Sequence, residues 1–180
     1  MAQRYVEASP FHVMYAPKLA WFDFIGVGGV AYLYYEALRQ RRKVHPHSRY
    51  MLATVFFLLP PIFGRLSAIP LGVRGPEDFE RLGVGFQLAN GLTAAIAFWL
   101  AYRSGKHGRP FAVAGTLTLI SSVLFEVVGR MPAWRSLFAR AAEIPVAPFA
   151  TAAGIAGVAI AYAGWNAGRR PVIGSGVAPA

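Results

Sequence analysis

The sequence predicts an all-α integral membrane protein, folded as a bundle of about five transmembrane helices. Hydrophobic residues make up 56% of the 180-residue chain, and charged residues only 14%. That balance is too apolar for an ordinary soluble domain of this length. Five apolar runs also approach the roughly 20 residues that a helix needs to cross a bilayer. We therefore expect residues 1–168 to form a single transmembrane domain and residues 169–180 to form a flexible cytoplasmic tail.

Polar or charged residues bound each apolar run, so the helices can be placed in order. The first run follows a polar N-terminus and is too long for the apolar core of a signal peptide. Pro60 and Pro61 interrupt the second run, and proline inside a helix removes a hydrogen bond and bends the helix. The five predicted spans are Leu19–Leu38, Tyr50–Leu71, Leu82–Tyr102, Phe111–Gly129 and Pro145–Gly168.

The distribution of Lys and Arg predicts the orientation of the helices. Residues 39–49, residues 103–109 and the C-terminal tail share one side, and they contain no Asp or Glu. They hold ten of the 18 Lys and Arg residues, which is typical of cytoplasmic loops. This pattern places the N-terminus outside and the C-terminus in the cytoplasm of a bacterial cell, as in a multi-pass inner-membrane protein. The loops then face anionic lipid, which explains the net charge of +10 without nucleic acid as a partner.

Two further segments predict helix contacts. Residues 132–144 form a short amphipathic helix with Trp134 on its apolar face, which either lies in the membrane interface or packs on the bundle. In the fifth run Ala153, Gly157 and Ala161 recur at four-residue spacing, which lets helix backbones approach closely. Packing within the chain is the favoured interpretation. The alternative is a contact in a homo-oligomer or a larger membrane complex.

Polar side chains inside the apolar runs are the main candidates for a functional site. A charge at membrane depth costs at least about 2.5–3.5 kcal/mol and is usually retained for a partner or a function. At about 1.5 Å of rise per residue, six such side chains share one layer in the outer half of the membrane. They are Asp23, Arg65, Gln87, Asn90, Glu126 and Arg130.

Two interpretations of this polar layer stay open. Glu126 and Arg130 are spaced i,i+4 and can pair within one helix. Arg65 has no such neighbour, so its partner must come from another helix, and Asp23 and Glu126 are the candidates. The layer is then either a structural ion-pair network or a site for a ligand, proton or ion in which Arg65 holds an anionic group. Long side chains near the interface can also extend to the headgroups.

No catalytic motif is recognisable in the sequence. The chain has no cysteine, and it shows no Ser-His-Asp arrangement, no His-Glu-x-x-His motif and no paired carboxylates. The candidates for haem or metal ligation are His47, Met51 and His107, and no other metal ligands are predicted. We therefore expect a non-enzymatic polytopic membrane protein, either an accessory subunit or a small binding or transport protein.

The histidines provide an alternative function, a haem-binding redox membrane protein. Haem in a membrane helix bundle is usually held by histidines inside the apolar runs, whereas the four histidines here lie in loops or at helix ends. His47 and Met51 are spaced i,i+4 and share a helix face. His107 is expected on the same side of the membrane. His47 is then one haem ligand, with Met51 or His107 as the second.

The sequence HSRYMLAT at residues 47–54, followed by Gly64-Arg65, resembles a motif in a family of uncharacterised bacterial polytopic membrane proteins. The resemblance extends over residues 45–140 and implies a polytopic fold, but no activity. Glu126 and Arg130 do not fit the family pattern. The positions that the resemblance emphasises are His47, Arg49, Met51 and Arg65.

Overall fold

The computed structural model describes residues 10–169. Within this range the chain is helical, with connecting turns and no β-strand, which confirms the all-α prediction. The predicted flexible tail lies outside the described residues, apart from Arg169.

The described chain contains seven α-helices. They are α1 Pro10–Arg39, α2 Val44–Thr54, α3 Leu59–Leu66, α4 Phe79–Arg103, α5 Arg109–Glu126, α6 Pro132–Ala142 and α7 Val146–Ala167. Three helical stretches are long and apolar enough to cross a membrane, namely Phe79–Arg103, Arg109–Arg130 and Val146–Ala167. They correspond to the third, fourth and fifth predicted spans.

The first two predicted spans have a different character. Helix α1 has 30 residues, but Lys18, Asp23 and Glu36 lower its hydropathy. The second span is split, because a 3₁₀ turn at Val55–Leu58 separates α2 from α3. Pro60 and Pro61, in the first turn of α3, lack the N–H groups that would continue an α-helical ladder. Helix α3 ends at Leu66, so the predicted span Tyr50–Leu71 is too long at its C-terminal end.

Helix α1 is the centre of the bundle. It packs against α2, α5 and α7, whereas α4 lies against α3 and α5. Arg39, Lys106 and Gly168 line one common pocket, so the α1–α2 turn, the α4–α5 turn and the end of α7 meet at one end. Lys18 and Arg130 line a cleft at the opposite end. The long helical segments therefore alternate in direction. We call these two ends the basic end and the mixed-charge end.

Small residues allow the helices to approach closely near the basic end. Ala37, Ala53, Ala97 and Ala114 are each 0% exposed, and they come from α1, α2, α4 and α5. Toward the mixed-charge end aromatic rings fill the core. Tyr15 stacks against Phe125 with ring centroids 6.2 Å apart, and Phe22 and Phe86 contact the same ring.

Helix α6 is the predicted amphipathic segment. The Trp134 indole N–H donates to the carbonyl of Pro17 at 2.7 Å, and its ring centroid lies 4.6 Å from that of Trp21. Leu137 on the same helix stays 58% exposed. Packing on α1 is thus present, and a position in the membrane interface stays a prediction.

Helix α7 corrects one expectation. Gly154 and Gly157 have no atom within 4 Å of the place where a Cβ would be, whereas Gly164 lies against Tyr35 and Leu38 of α1, so the small residues pack within the described chain only near the C-terminal end of α7. Helix α7 instead contacts α1 near its own C-terminal end. There the Arg41 guanidinium donates to the Trp165 carbonyl at 2.6 Å and stacks on the Trp165 ring at 4.0 Å.

The turn between α4 and α5 provides a test of the packing. A Cβ at Gly108 would overlap the backbone of Ala101, although its φ of −77° suits any residue. Gly108→Ala should therefore lower the free energy of unfolding by about 1–3 kcal/mol. The control Gly91→Ala meets no atom within 4 Å in α4 and should gain about 0.5–1 kcal/mol. Thermal unfolding in detergent measures both, and equal stabilities would contradict the close approach.

Candidate functional site

One cavity of about 260 Å³ gathers half of the predicted polar layer. Asp23 of α1, Arg65 of α3 and Asn90 of α4 line it, together with Thr118 and Ser121 of α5. We call it the four-helix cavity. The sequence analysis missed Ser121, because Ser121 meets the cavity only through the packing of α5 against the other helices, and spacing along α5 does not show that packing.

The cavity has a charged rim and a polar floor. Asp23 and Arg65 are exposed and therefore stand at the open edge. Asn90, Thr118 and Ser121 are only 1%, 2% and 5% exposed, so they form the inner surface. Most of the remaining wall is apolar and includes the rings of Phe11, Phe22, Phe57 and Phe86.

The polar floor accepts hydrogen bonds more readily than it donates them. The hydroxyls of Thr118 and Ser121 already donate to backbone carbonyls of α5, at 2.9 and 2.8 Å. The Asn90 amide N–H donates to the Phe86 carbonyl at 2.7 Å. The Asn90 Oδ1 atom is buried and has no partner among the described residues. Since such an atom costs about 1–3 kcal/mol, it marks a place where a hydrogen-bond donor is expected.

The expected interhelical ion pair of Arg65 is not formed. Arg65 contacts neither Asp23 nor Glu126 at ion-pair distance, and within the described chain it has no hydrogen-bond partner. One reason is that Glu126 lies in a different depression, where Arg130 and Gln87 occupy its two oxygens. Asp23 does share the cavity with Arg65, but the two stand apart on its rim.

The other half of the polar layer lines a cleft of about 750 Å³ at the mixed-charge end. Gln87 of α4 donates to Glu126 Oε1 at 3.1 Å, and the Ser122 hydroxyl donates to Gln87. Glu126 and Arg130 form the i,i+4 ion pair that their spacing indicates. These side chains satisfy one another and join α4 to α5. The structural interpretation therefore fits this half of the layer.

The histidines lie at the basic end. His47 Nδ1 donates to the Ala37 carbonyl at 2.8 Å, since a carbonyl can only accept, and this leaves Nε2 as a free ligand atom. Met51 is 39% exposed. His107 lines the pocket at the basic end, whereas His47 does not. Among the described residues no three His, Asp or Glu side chains lie close enough to hold a metal ion. Haem binding stays a prediction, which an absorption spectrum of the purified protein tests.

The sequence analysis missed the pocket at the basic end. Its volume is about 520 Å³, and its lining includes Arg39 and Tyr50. Glu36, only 8% exposed, accepts from Arg39 Nη2 at 2.8 Å and from the Gln40 amide at 3.1 Å. This hydrogen bond raises the pKa of Arg39 above its ordinary value, so the guanidinium stays charged. The sequence did contain a signal for this end of the bundle, because Glu36 stands three residues before Arg39 at the end of an apolar run.

No protein-family model, curated protein or solved structure matches the chain. The function is therefore inferred from the cavity, the cleft and the basic end.

We expect two side chains of the cleft, Gln87 and Arg130, to contribute unequally to the stability of the protein. Gln87→Leu breaks the link between α4 and α5 and should cost about 0.6–1.7 kcal/mol, the range for hydrogen bonds between membrane helices. Arg130→Gln should cost about 0–1 kcal/mol, because the Arg130 side chain is 64% exposed. Thermal unfolding in detergent compares them. A larger loss for Arg130→Gln would show that the ion pair, rather than the link between helices, stabilises this end.

Proposed function

We propose that this chain is a multi-pass membrane protein with five crossings that binds a small polar molecule in the four-helix cavity. Its N-terminus is outside and its C-terminus is in the cytoplasm of a bacterial cell, whose inner membrane it occupies. With this binding site, the protein acts either as a small transporter or as an accessory subunit that holds a ligand.

Three apolar helices and the alternation of the helical segments support the five crossings. Helix α1 has 30 residues and spans about 45 Å, which exceeds the roughly 30 Å hydrocarbon core. The continuous helical path from Val44 to Leu66 runs beside it in the opposite direction. The basic end collects the segments with most Lys and Arg, which favours a cytoplasmic position for that end.

The observation that carries the binding function is the combination of groups around one cavity. Arg65 presents a cation that has no partner in the described chain, and Asn90 Oδ1 presents a buried acceptor without a donor. Asp23 adds a second acceptor at the rim. A fitting ligand carries an anionic group beside Arg65 and hydrogen-bond donors toward Asn90 and Asp23. A volume of about 260 Å³ limits it to a small molecule, since the pockets that hold drug-sized ligands measure about 300–1,000 Å³.

Removing the rim cation should remove the ligand. Protein purified in mild detergent is extracted, and small molecules are identified by mass spectrometry. Arg65→Gln should retain about tenfold less of the ligand than the unaltered protein, because a lost charged hydrogen bond is worth about 1.5–3 kcal/mol. Arg74→Gln, an exposed position in the loop after α3, is the matched control and should retain the ligand.

A second variant separates binding from a structural role. Asn90→Leu has similar volume and removes the unpartnered Oδ1, so ligand-free protein should be as stable as the unaltered chain or more stable. It should also lose the ligand. The proposal fails if Arg65→Gln retains every small molecule that the control retains. It also fails if Asn90→Leu unfolds, since Asn90 would then be structural.

The number of crossings can be tested with single cysteines, because the chain contains none. Lys43→Cys lies in the turn after α1, and Arg74→Cys lies in the loop after α3. In intact cells a membrane-impermeant maleimide should label Arg74→Cys, and it should label Lys43→Cys only after lysis. Labelling of both from outside would mean that α1 and the α2–α3 segment do not cross.

A further inference from the structure

The pocket at the basic end is built from three separate parts of the chain. Arg39, Arg42 and Lys43 come from the end of α1 and the turn after it. Lys106 comes from the turn between α4 and α5, and Arg109 is the first residue of α5. The last residues of α7 line a further side. We call it the basic pocket, and its volume is about 520 Å³.

Its positive charge is not balanced by its own lining. None of the described lining residues is Asp or Glu. The nearby acid Glu36 is already bonded to Arg39 and Gln40. Arg42 and Lys106 have no side-chain hydrogen bond or ion pair within the described chain. Several cations therefore share one concave space, and their mutual repulsion is relieved when an anion enters.

The pocket is also held in shape. The Glu36 carboxylate accepts from both Nε and Nη2 of Arg39, at 3.2 and 2.8 Å, which fixes the plane of that guanidinium. Arg41 does not line the pocket, and its contacts with Trp165 hold the end of α7 against α1. The buried acid thus positions Arg39, and the contact between Arg41 and Trp165 positions the end of α7, before any ligand binds, which lowers the entropy cost of binding.

Helix dipoles add little to this site. Helices α2 and α5 begin at the basic end, whereas α1, α4 and α7 end there, so the helix dipoles do not favour an anion at this site. The side chains consequently carry the electrostatic attraction. Guanidinium groups match the oxygens of phosphate in a two-pronged geometry, and lysines add compact charges.

We propose that the basic pocket binds a phosphate group, carried either by an anionic phospholipid headgroup or by a soluble phosphate compound. Either source offers the same oxygens to Arg42, Lys106 and their neighbours. This site is separate from the four-helix cavity, because the two share no lining residue.

The test uses the full chain in detergent and compares two double variants that remove equal charge. Arg42→Gln/Lys106→Gln removes two of the positive charges of the pocket, at exposed side chains that lack a hydrogen bond or ion pair within the described chain. Arg74→Gln/Arg140→Gln neutralises two exposed cations elsewhere. Native mass spectrometry counts bound phosphatidylglycerol against phosphatidylcholine. A thermal-shift titration compares inorganic phosphate with chloride at equal ionic strength.

The pocket variant should bind phosphatidylglycerol or phosphate at least about tenfold more weakly than the unaltered chain, and the control should bind as before. Loss in the lipid measurement alone identifies a headgroup, and loss in the phosphate titration identifies a soluble compound. Lys43→Gln gives a smaller loss in the same direction and serves if the double variant does not fold. Unchanged binding in the pocket variant, or equal loss in the control, overturns the proposal. Arg65→Gln should retain phosphate binding whether or not the cavity binds a ligand.

Discussion

Close packing of the helices around α1 is the constraint on which the other features depend. One cavity is lined by the Arg65 cation, the Asn90 amide and the hydroxyls of Thr118 and Ser121. These groups can meet only because α3, α4 and α5 all lie close to α1. Glycine makes this approach possible at one decisive point. The ring of Phe57 lies against Gly29, where a Cβ would overlap it. The same ring forms part of the cavity wall, so this contact links helix packing directly to the shape of the candidate site.

The proline break in the second helical segment is the other determinant of the cavity. Pro60 and Pro61 line it, next to the 3₁₀ turn that separates α2 from α3. Beyond the break α3 packs against α4. Arg65 therefore reaches the cavity rim instead of the cleft that holds Glu126.

Several features could be predicted from local sequence. The i,i+4 spacing was enough to place the Glu126–Arg130 pair, and amphipathic spacing was enough to place α6. The polar layer was predicted from depth along each helix, and depth does not specify the direction in which a side chain points around its helix. Gln87 and Asn90 are three residues apart, yet they line different depressions. The choice of a partner for Arg65 depended on that direction, and the expected ion pair of Arg65 with Asp23 or Glu126 is not formed.

The basic pocket was missed for a related reason. Counting Lys and Arg assigns loops to one side of a membrane, but it does not show that two loops and the end of a third segment meet. Likewise the small residues of α7 have the spacing of a packed helix, but Gly154 and Gly157 have no neighbouring atom within 4 Å, and only Gly164 lies closely against α1. Long-range placement of helices decides both outcomes.

A density map of the protein purified without added ligand tests the central claim most directly. The account predicts non-protein density in the four-helix cavity, in contact with the Arg65 guanidinium and with Asn90. An Arg65 side chain paired with Asp23 across a cavity that contains no such density would contradict it.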